Sequence, residues 1–175
     1  MAVQTLVLSD LHLADAETVD PARPMWKAFK RREHFVDADV AGLLRHTASQ
    51  AEAAGDTLEV VFNGDVFDFD PILRMPDPPP SPVHWLSRLR GLGTEQWMSA
   101  FKIGIVVQDH PEFFAACGEA VRRGHQLVFV MGNHDLELQW EPVRSLVREA
   151  LEQASDRASA RTQAAGTLRF EPWFY

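Results

Sequence analysis

Three short runs of aliphatic and β-branched residues end in the same chemistry, and that recurrence constrains the fold more than any other feature of the chain. Val3 to Leu8 runs into Ser9-Asp10, Leu58 to Phe62 into Asn63-Gly64-Asp65, and Gln126 to Met131 into Gly132-Asn133-His134-Asp135. Apolar runs of this length, bounded by turn-forming residues, read as buried strands. Each delivers polar side chains at its carboxyl end. Between them lie helical patterns. Glu33 to Ala54 carries Phe35, Val36, Val40, Leu43 and Leu44 at helical spacing and stops at Gly55. His110 to Arg123 places Pro111 in its first turn and stops at Gly124. Strands alternating with helices predict an α/β layer, and in such sheets ligands collect at the carboxyl ends of the strands.

Glu141 to about Ala160 predicts a further helix with Val143, Leu146, Val147 and Leu151 on one face, and Thr167 to Tyr175 a fourth strand. The interval 70–109 differs in character. Pro71, Pro76, Pro78, Pro79, Pro80 and Pro82 forbid regular structure in its first part. Trp85, Leu86, Leu89, Leu92, Trp97, Met98 and Phe101 then suggest one or two short helices broken near Gly91 and Gly93. This reads as a Pro-rich and helical insertion between the second and third strands of a single domain over 1–175. Its aromatic residues either complete the core or form a cap beside the site or a dimer contact.

Composition narrows the function classes. A chain of 175 residues that is 46% hydrophobic, with a net charge of −8, is expected to form a globular core rather than a disordered or fibrous chain. The acidic balance argues against a broad nucleic-acid footprint, which needs clustered Lys and Arg. Cys117 is the single cysteine, so a disulfide scaffold is excluded and a reducing compartment is expected. The apolar stretch near the amino terminus has no basic residue before it, and no run approaches the ~20 apolar residues of a membrane span. A cytoplasmic protein with no transmembrane segment is the expectation.

The strand-end clusters carry the chemistry. Asp10 and His12, two residues apart on an extended segment, point to the same side and can share one metal ion. Gly64 permits a sharp turn beneath a bound ion, and Asp65 has two oxygens with which to bridge two ions. Asp68 either supports the site or caps a turn. Asn133 offers a carbonyl oxygen to a metal, His134 can donate a proton to a leaving group, and Asp135 is available to orient the imidazole. Each cluster alone admits a plain structural reading as a turn carboxylate or surface histidine. Three of them on three strand ends favour a site.

In order and context these motifs resemble those of the calcineurin-like metallophosphoesterases, whose signature runs D-x-H, G-D-x-x-D/N and G-N-H-D/E after successive strands. Here they read Asp10-Leu11-His12, Gly64-Asp65-Val66-Phe67-Asp68 and Gly132-Asn133-His134-Asp135. The resemblance covers about Val3 to Asp135. It implies the amino-terminal half of an αββα sandwich and two divalent transition-metal ions (Mn, Fe, Zn or Ni), with Asp10 and His12 on the first, Asp65 bridging and Asn133 on the second. It also implies hydrolysis of a phosphoester or pyrophosphate, with His134 assisting the leaving group.

The family completes its site with a further histidine and a G-H-x-H segment, and Glu141 to Tyr175 contains no histidine. His34, His46, His84, His110 and His125 all precede the third motif and fall away from predicted strand ends. The expectation is therefore that the second metal position stays unfilled in this chain, that one sheet face is left exposed, and that the chain is the amino-terminal part of a longer protein or a homo-oligomer. Three functions follow from the resemblance. They are a metal-dependent phosphoesterase, a catalytically incomplete fragment or pseudoenzyme acting through a partner chain, and an enzyme similar to the UDP-diacylglucosamine pyrophosphohydrolases. In the last case Trp85, Trp97 and Phe101 would line an acyl pocket.

Overall fold

The computed structural model describes residues 1–17, 21–23, 25, 30–156 and 166–172. Strands β1 (Val3–Leu8), β2 (Thr57–Asn63), β3 (Gln126–Val130) and β4 (Leu168–Glu171) form one sheet in chain order, and every neighbouring pair is parallel. Five α-helices occur among the described residues: α1 (Asp37–Ala53), α2 (Trp85–Arg90), α3 (Gln96–Asp109), α4 (Pro111–Arg122) and α5 (Glu141–Asp156). The protein is α/β.

Strand order explains where the helices lie. Parallel strands need crossovers, and crossovers are right-handed in roughly 98% of cases. A sheet that never reverses direction therefore places successive crossover helices on one side. Val40 and Leu44 of α1, Ile103 and Val106 of α3, Phe113 and Phe114 of α4, and Val143 and Val147 of α5 all join one buried cluster with Leu58, Val60, Phe62, Leu127 and Phe129 of the sheet. Val61, Val128 and Val130, which alternate with those strand residues, form a separate small cluster on the opposite face. In register with them, Val3 and Val7 of β1 are 57% and 59% exposed. Arg169 of β4 reaches across β3 to Glu59 of β2 at 3.0 Å on that same face.

The core is aromatic beneath the strand ends. Phe62 stacks on Phe129 at 4.8 Å, and Phe67 lies parallel to Phe114 at 6.1 Å. Val66, Phe67, Phe69 and Ile72, interleaved with Asp65, Asp68 and Asp70, are fully buried. Each such anchor contributes roughly 1.5–3 kcal/mol. The loop after β2 is thus nailed to the core by its apolar residues while its carboxylates stay on the outer side.

Helix α1 begins at Asp37 rather than at Glu33. Arg32–His34 is a single 3₁₀ turn, Phe35 is extended, and Asp37 and Asp39 supply the acidic first turn that a helix amino terminus favours. Residues 157–160 of the expected last helix and 173–175 of the expected last strand lie outside the described residues. The interval 70–109 divides in two. In α3, Ile103 and Val106 belong to the core and Phe101 packs against it, whereas Trp85 of α2 is 63% exposed. Among the described residues no helix is long and apolar enough to cross a membrane.

Candidate functional site

The first two strand ends continue their pairing beyond the sheet in a distorted form. Asp10 N–H donates to Gly64 O (3.2 Å), His12 N–H to Asp65 O (3.0 Å) and Leu13 N–H to Val66 O (2.8 Å), while Asp68 N–H donates back to Leu13 O (2.9 Å). To hold this path Asp10, His12 and Asp65 adopt φ of 57°, 48° and 53°. They are the described non-glycine residues with positive φ, a conformation that costs of order 1–3 kcal/mol and persists only where the surroundings impose it. All three strained residues carry candidate ligand side chains.

The third strand end is bolted to the second by carboxylates. Asp65 Oδ1 accepts from His134 N–H at 2.9 Å. Asp135, fully buried, accepts from Gly132 N–H (2.6 Å) through Oδ1 and from Val66 N–H (2.9 Å) and Phe67 N–H (3.4 Å) through Oδ2. Burial pushes its carboxyl above the ordinary range, and the three backbone donors pull the other way. Asp135 therefore braces two loops. The expectation that it orients the His134 imidazole gives way to a different pair of carboxylates: Asp68 Oδ1 lies 3.4 Å and Asp70 Oδ2 3.6 Å from His134 Nδ1.

Close backbone approach makes this possible. Gly64 has φ 86°, and a Cβ built on it would sit 3.2 Å from the Cα of Gly132. A Cβ on Gly132 would fall on the Asp65 carboxylate. The two loops meet glycine to glycine, leaving Asp65 seated between them.

Two overlapping donor groups result. Asp10, His12 and Asp65 bring ligand atoms within 4.8 Å of one another, and so do His12, Asp68 and His134. His12 belongs to both because its two nitrogens face different carboxylates: Nε2 is 3.9 Å from Asp10 Oδ1 and Nδ1 is 3.4 Å from Asp68 Oδ2. The His12 and His134 rings stand edge to face at 4.9 Å. His134 Nδ1 is buried and makes no hydrogen bond within the protein. Asn133 is exposed between Gly132 and His134, whose backbones are held by Asp135 and Asp65. The donor set of Asp10, His12 and Asp65, oxygen and imidazole nitrogen, fits a divalent transition metal, and Asp65 Oδ2 is free of the bond that Oδ1 makes to His134.

Other histidines are engaged elsewhere. His110 is buried with Nδ1 2.8 Å from Asp37 Oδ1 and Nε2 2.6 Å from Ala14 O. His125 accepts from Leu58 N–H at 3.2 Å, and His84 caps α2 by accepting from Leu86 N–H at 3.2 Å. None joins a donor group.

Sequence reasoning missed Asp70 and Lys102. Asp70 had a signal in the Asp68-Phe69-Asp70 spacing, which returns a second carboxylate to the same side of an extended loop. Lys102, on α3, is 2% exposed and has no hydrogen-bond or ion-pair partner within 4 Å among the described residues. Burial lowers its pKa, opposed by the charges of Glu137, Asp70, Glu95 and Asp68. Compared with family models, with curated proteins and with solved structures, the chain matches none.

Proposed function

We propose that this chain carries the amino-terminal catalytic face of a metal-dependent phosphoesterase of the calcineurin-like kind. One observation carries the reading: Asp10, His12 and Asp65 converge within 4.8 Å at the carboxyl ends of two adjacent parallel strands, with His134 delivered beside them by the third. In this reading Asp10, His12 Nε2 and Asp65 hold one divalent ion, and Asn133 and Asp65 flank the position of a second. When bound, the metal supplies Lewis-acid stabilisation of a phosphoryl oxygen and an activated water.

The chain's own residues supply the rest. An Asp68 oxygen lies 3.4 Å from Nδ1 of each histidine, which leaves Nε2 of His12 for the ligand group and Nε2 of His134 for the substrate. His134 then presents Nε2 to a leaving-group oxygen and donates its proton there. Asp135, by holding Gly132, Val66 and Phe67, keeps both loops in register while this happens.

Titration of the purified chain with Mn²⁺, followed by assay on bis(p-nitrophenyl) phosphate, tests the reading. Saturable Mn²⁺ uptake with turnover that Asp65→Ala abolishes supports it; absence of both uptake and turnover overturns it. The exposed Val3 and Val7 on the sheet face without described helices favour a second reading, in which the chain acts only with a partner polypeptide. A stable monomer by sedimentation that turns over phosphoester alone removes that reading.

A further inference from the structure

Asp68 stands between two imidazoles at more than hydrogen-bond distance from either. Its Oδ2 lies 3.4 Å from His12 Nδ1 and its Oδ1 3.4 Å from His134 Nδ1, beyond the roughly 2.7–3.2 Å of an N–H···O bond. His134 Nδ1 is buried and has no hydrogen-bond partner, although a second carboxylate oxygen, Asp70 Oδ2, lies 3.6 Å away. A buried polar atom left in this state is costly, and it calls for a partner that the protein itself does not supply.

The separations fit a shared ion. Nitrogen and oxygen ligands held about 2.0–2.2 Å from a tetrahedral Zn²⁺ stand about 3.3–3.5 Å from one another, which is the spacing on both sides of Asp68. Ligand atoms of His12, Asp68 and His134 all lie within 4.8 Å of one another. The His12 and His134 side chains are 40% and 35% exposed, so an ion can reach them from solvent.

Ligand chemistry separates this group from its neighbour. Asp10, His12 and Asp65 offer two carboxylates and one imidazole, an oxygen-dominated set that suits Mn²⁺. His12, Asp68 and His134 offer two imidazoles and one carboxylate, the set of three-ligand zinc sites that leave a fourth position open. The groups share His12, and a neutral imidazole ligates through one nitrogen while the other carries the proton. His12 faces Asp10 with Nε2 and Asp68 with Nδ1, so it serves one group at a time.

We propose that His12 Nδ1, Asp68 and His134 Nδ1 form a zinc site whose filling takes His12 away from Asp10 and Asp65, so that Zn²⁺ weakens Mn²⁺ binding there. With Zn²⁺ on the Nδ1 atoms, the proton of each imidazole sits on Nε2. His134 thus keeps a proton to donate, whereas His12 loses the lone pair that faces Asp10. The site itself stands on this geometry; its consequence, inhibition of a Mn²⁺-dependent hydrolysis by Zn²⁺, rests on the phosphoesterase reading.

Three measurements test the proposal. Long-range ¹H–¹⁵N NMR of the histidine rings, which needs no variant, reads the ligating nitrogen directly: on Zn²⁺ addition His12 and His134 should both be ligated at Nδ1 and protonated at Nε2. Zn²⁺ affinity, measured against a chromogenic chelator with circular dichroism confirming each fold, should fall about tenfold or more in His134→Ala and in Asp68→Asn, while Asp10→Asn leaves it nearly unchanged and weakens Mn²⁺ instead. Zn²⁺ should also inhibit Mn²⁺-dependent hydrolysis of bis(p-nitrophenyl) phosphate. Ligation of His12 through Nε2, or a Zn²⁺ affinity that depends on Asp10 and not on His134, overturns the site by placing Zn²⁺ in the first group. Full turnover with the Nδ1 atoms ligated overturns the competition. Nδ1 ligation in a chain that hydrolyses no phosphoester supports the site, and the phosphoesterase reading alone then falls.

Discussion

The Asp68 carboxylate lies 3.4 Å from Nδ1 of His134, and its other oxygen lies 3.4 Å from Nδ1 of His12. One side chain therefore sets the orientation of a candidate ligand and of a candidate acid. Its Oδ1 also accepts from Asp70 N–H at 3.2 Å, so it caps a turn as well.

Asp68→Asn keeps the size and the turn cap while removing the charge. Partners of this kind typically cost 10–100-fold in metal affinity or activity when changed. Asp68→Asn should therefore lower kcat on a chromogenic phosphodiester by about 10–100-fold, with a smaller loss in Mn²⁺ affinity, because Asp10 and Asp65 remain. Calorimetric Mn²⁺ titration beside steady-state kinetics separates the two. An unchanged kcat would show that Asp68 only shapes the turn.

Asp135 makes a different claim. Replacing it with alanine strands three backbone donors, of Gly132, Val66 and Phe67. A buried donor left without a partner costs about 1–3 kcal/mol, so Asp135→Ala should destabilise the chain by roughly 3 kcal/mol or more in urea denaturation. Asp135→Asn should fall between, since its oxygen can serve one loop while its amide opposes the donors of the other. A loss below about 1 kcal/mol for the alanine variant would mean that the loops are held by other contacts.

Gly132 links backbone geometry to ligation. Because a Cβ there would collide with the Asp65 carboxylate and the backbone beneath it, Gly132→Ala should displace Asp65 and abolish saturable Mn²⁺ binding. The informative control is Gly104→Ala on α3, where an added Cβ meets nothing within 4 Å and, mid-helix, should gain about 0.5–1 kcal/mol. Mn²⁺ binding by Gly132→Ala with parental affinity would contradict the packing of the two loops.

How far the sequence reveals this arrangement depends on how local each cause is. Asp10, His12 and Asp65 are legible because a strand run followed by a turn residue and a carboxylate is a pattern within one segment. The interleaving of Val66, Phe67, Phe69 and Ile72 with Asp65, Asp68 and Asp70 is equally local, and it predicts which side of the loop faces the core. Asp135 is not readable this way. Gly132 is a local partner, but the two that tie Asp135 to the other loop, Val66 and Phe67, are 69 and 68 residues distant, and no neighbouring residue signals them. Lys102 sits in an apolar stretch of α3 where the pattern suggests a solvated lysine, and tertiary packing buries it. The positive φ of Asp10, His12 and Asp65 is likewise invisible: aspartate and histidine enter the left-handed region more readily than most residues, but it is the pairing with the neighbouring loop that imposes it.

At the opposite end of the sheet, stability should depend on His125. Its Nδ1 accepts from Leu58 N–H, its Nε2 lies 3.2 Å from Glu52 Oε1, and it is 2% exposed. Burial is the main cause holding its pKa below the ordinary value of 6.5, with the Arg123 charge adding and Glu52 opposing. A histidine with a lowered folded-state pKa binds fewer protons folded than unfolded in the window below 6.5, so stability falls as pH drops through that window. Glu52 is held below its ordinary 4.5 by its hydrogen bond to Arg123, which places its contribution lower on the scale: present above 4.5 and lost as pH falls through its folded value. Urea denaturation from pH 8 to pH 4 should thus show stability declining from about pH 6.5. His125→Asn, which can still accept from Leu58 N–H, should remove the upper part of that decline and leave the part near Glu52. Parallel profiles for the parent and the variant would place the acid sensitivity elsewhere in the chain.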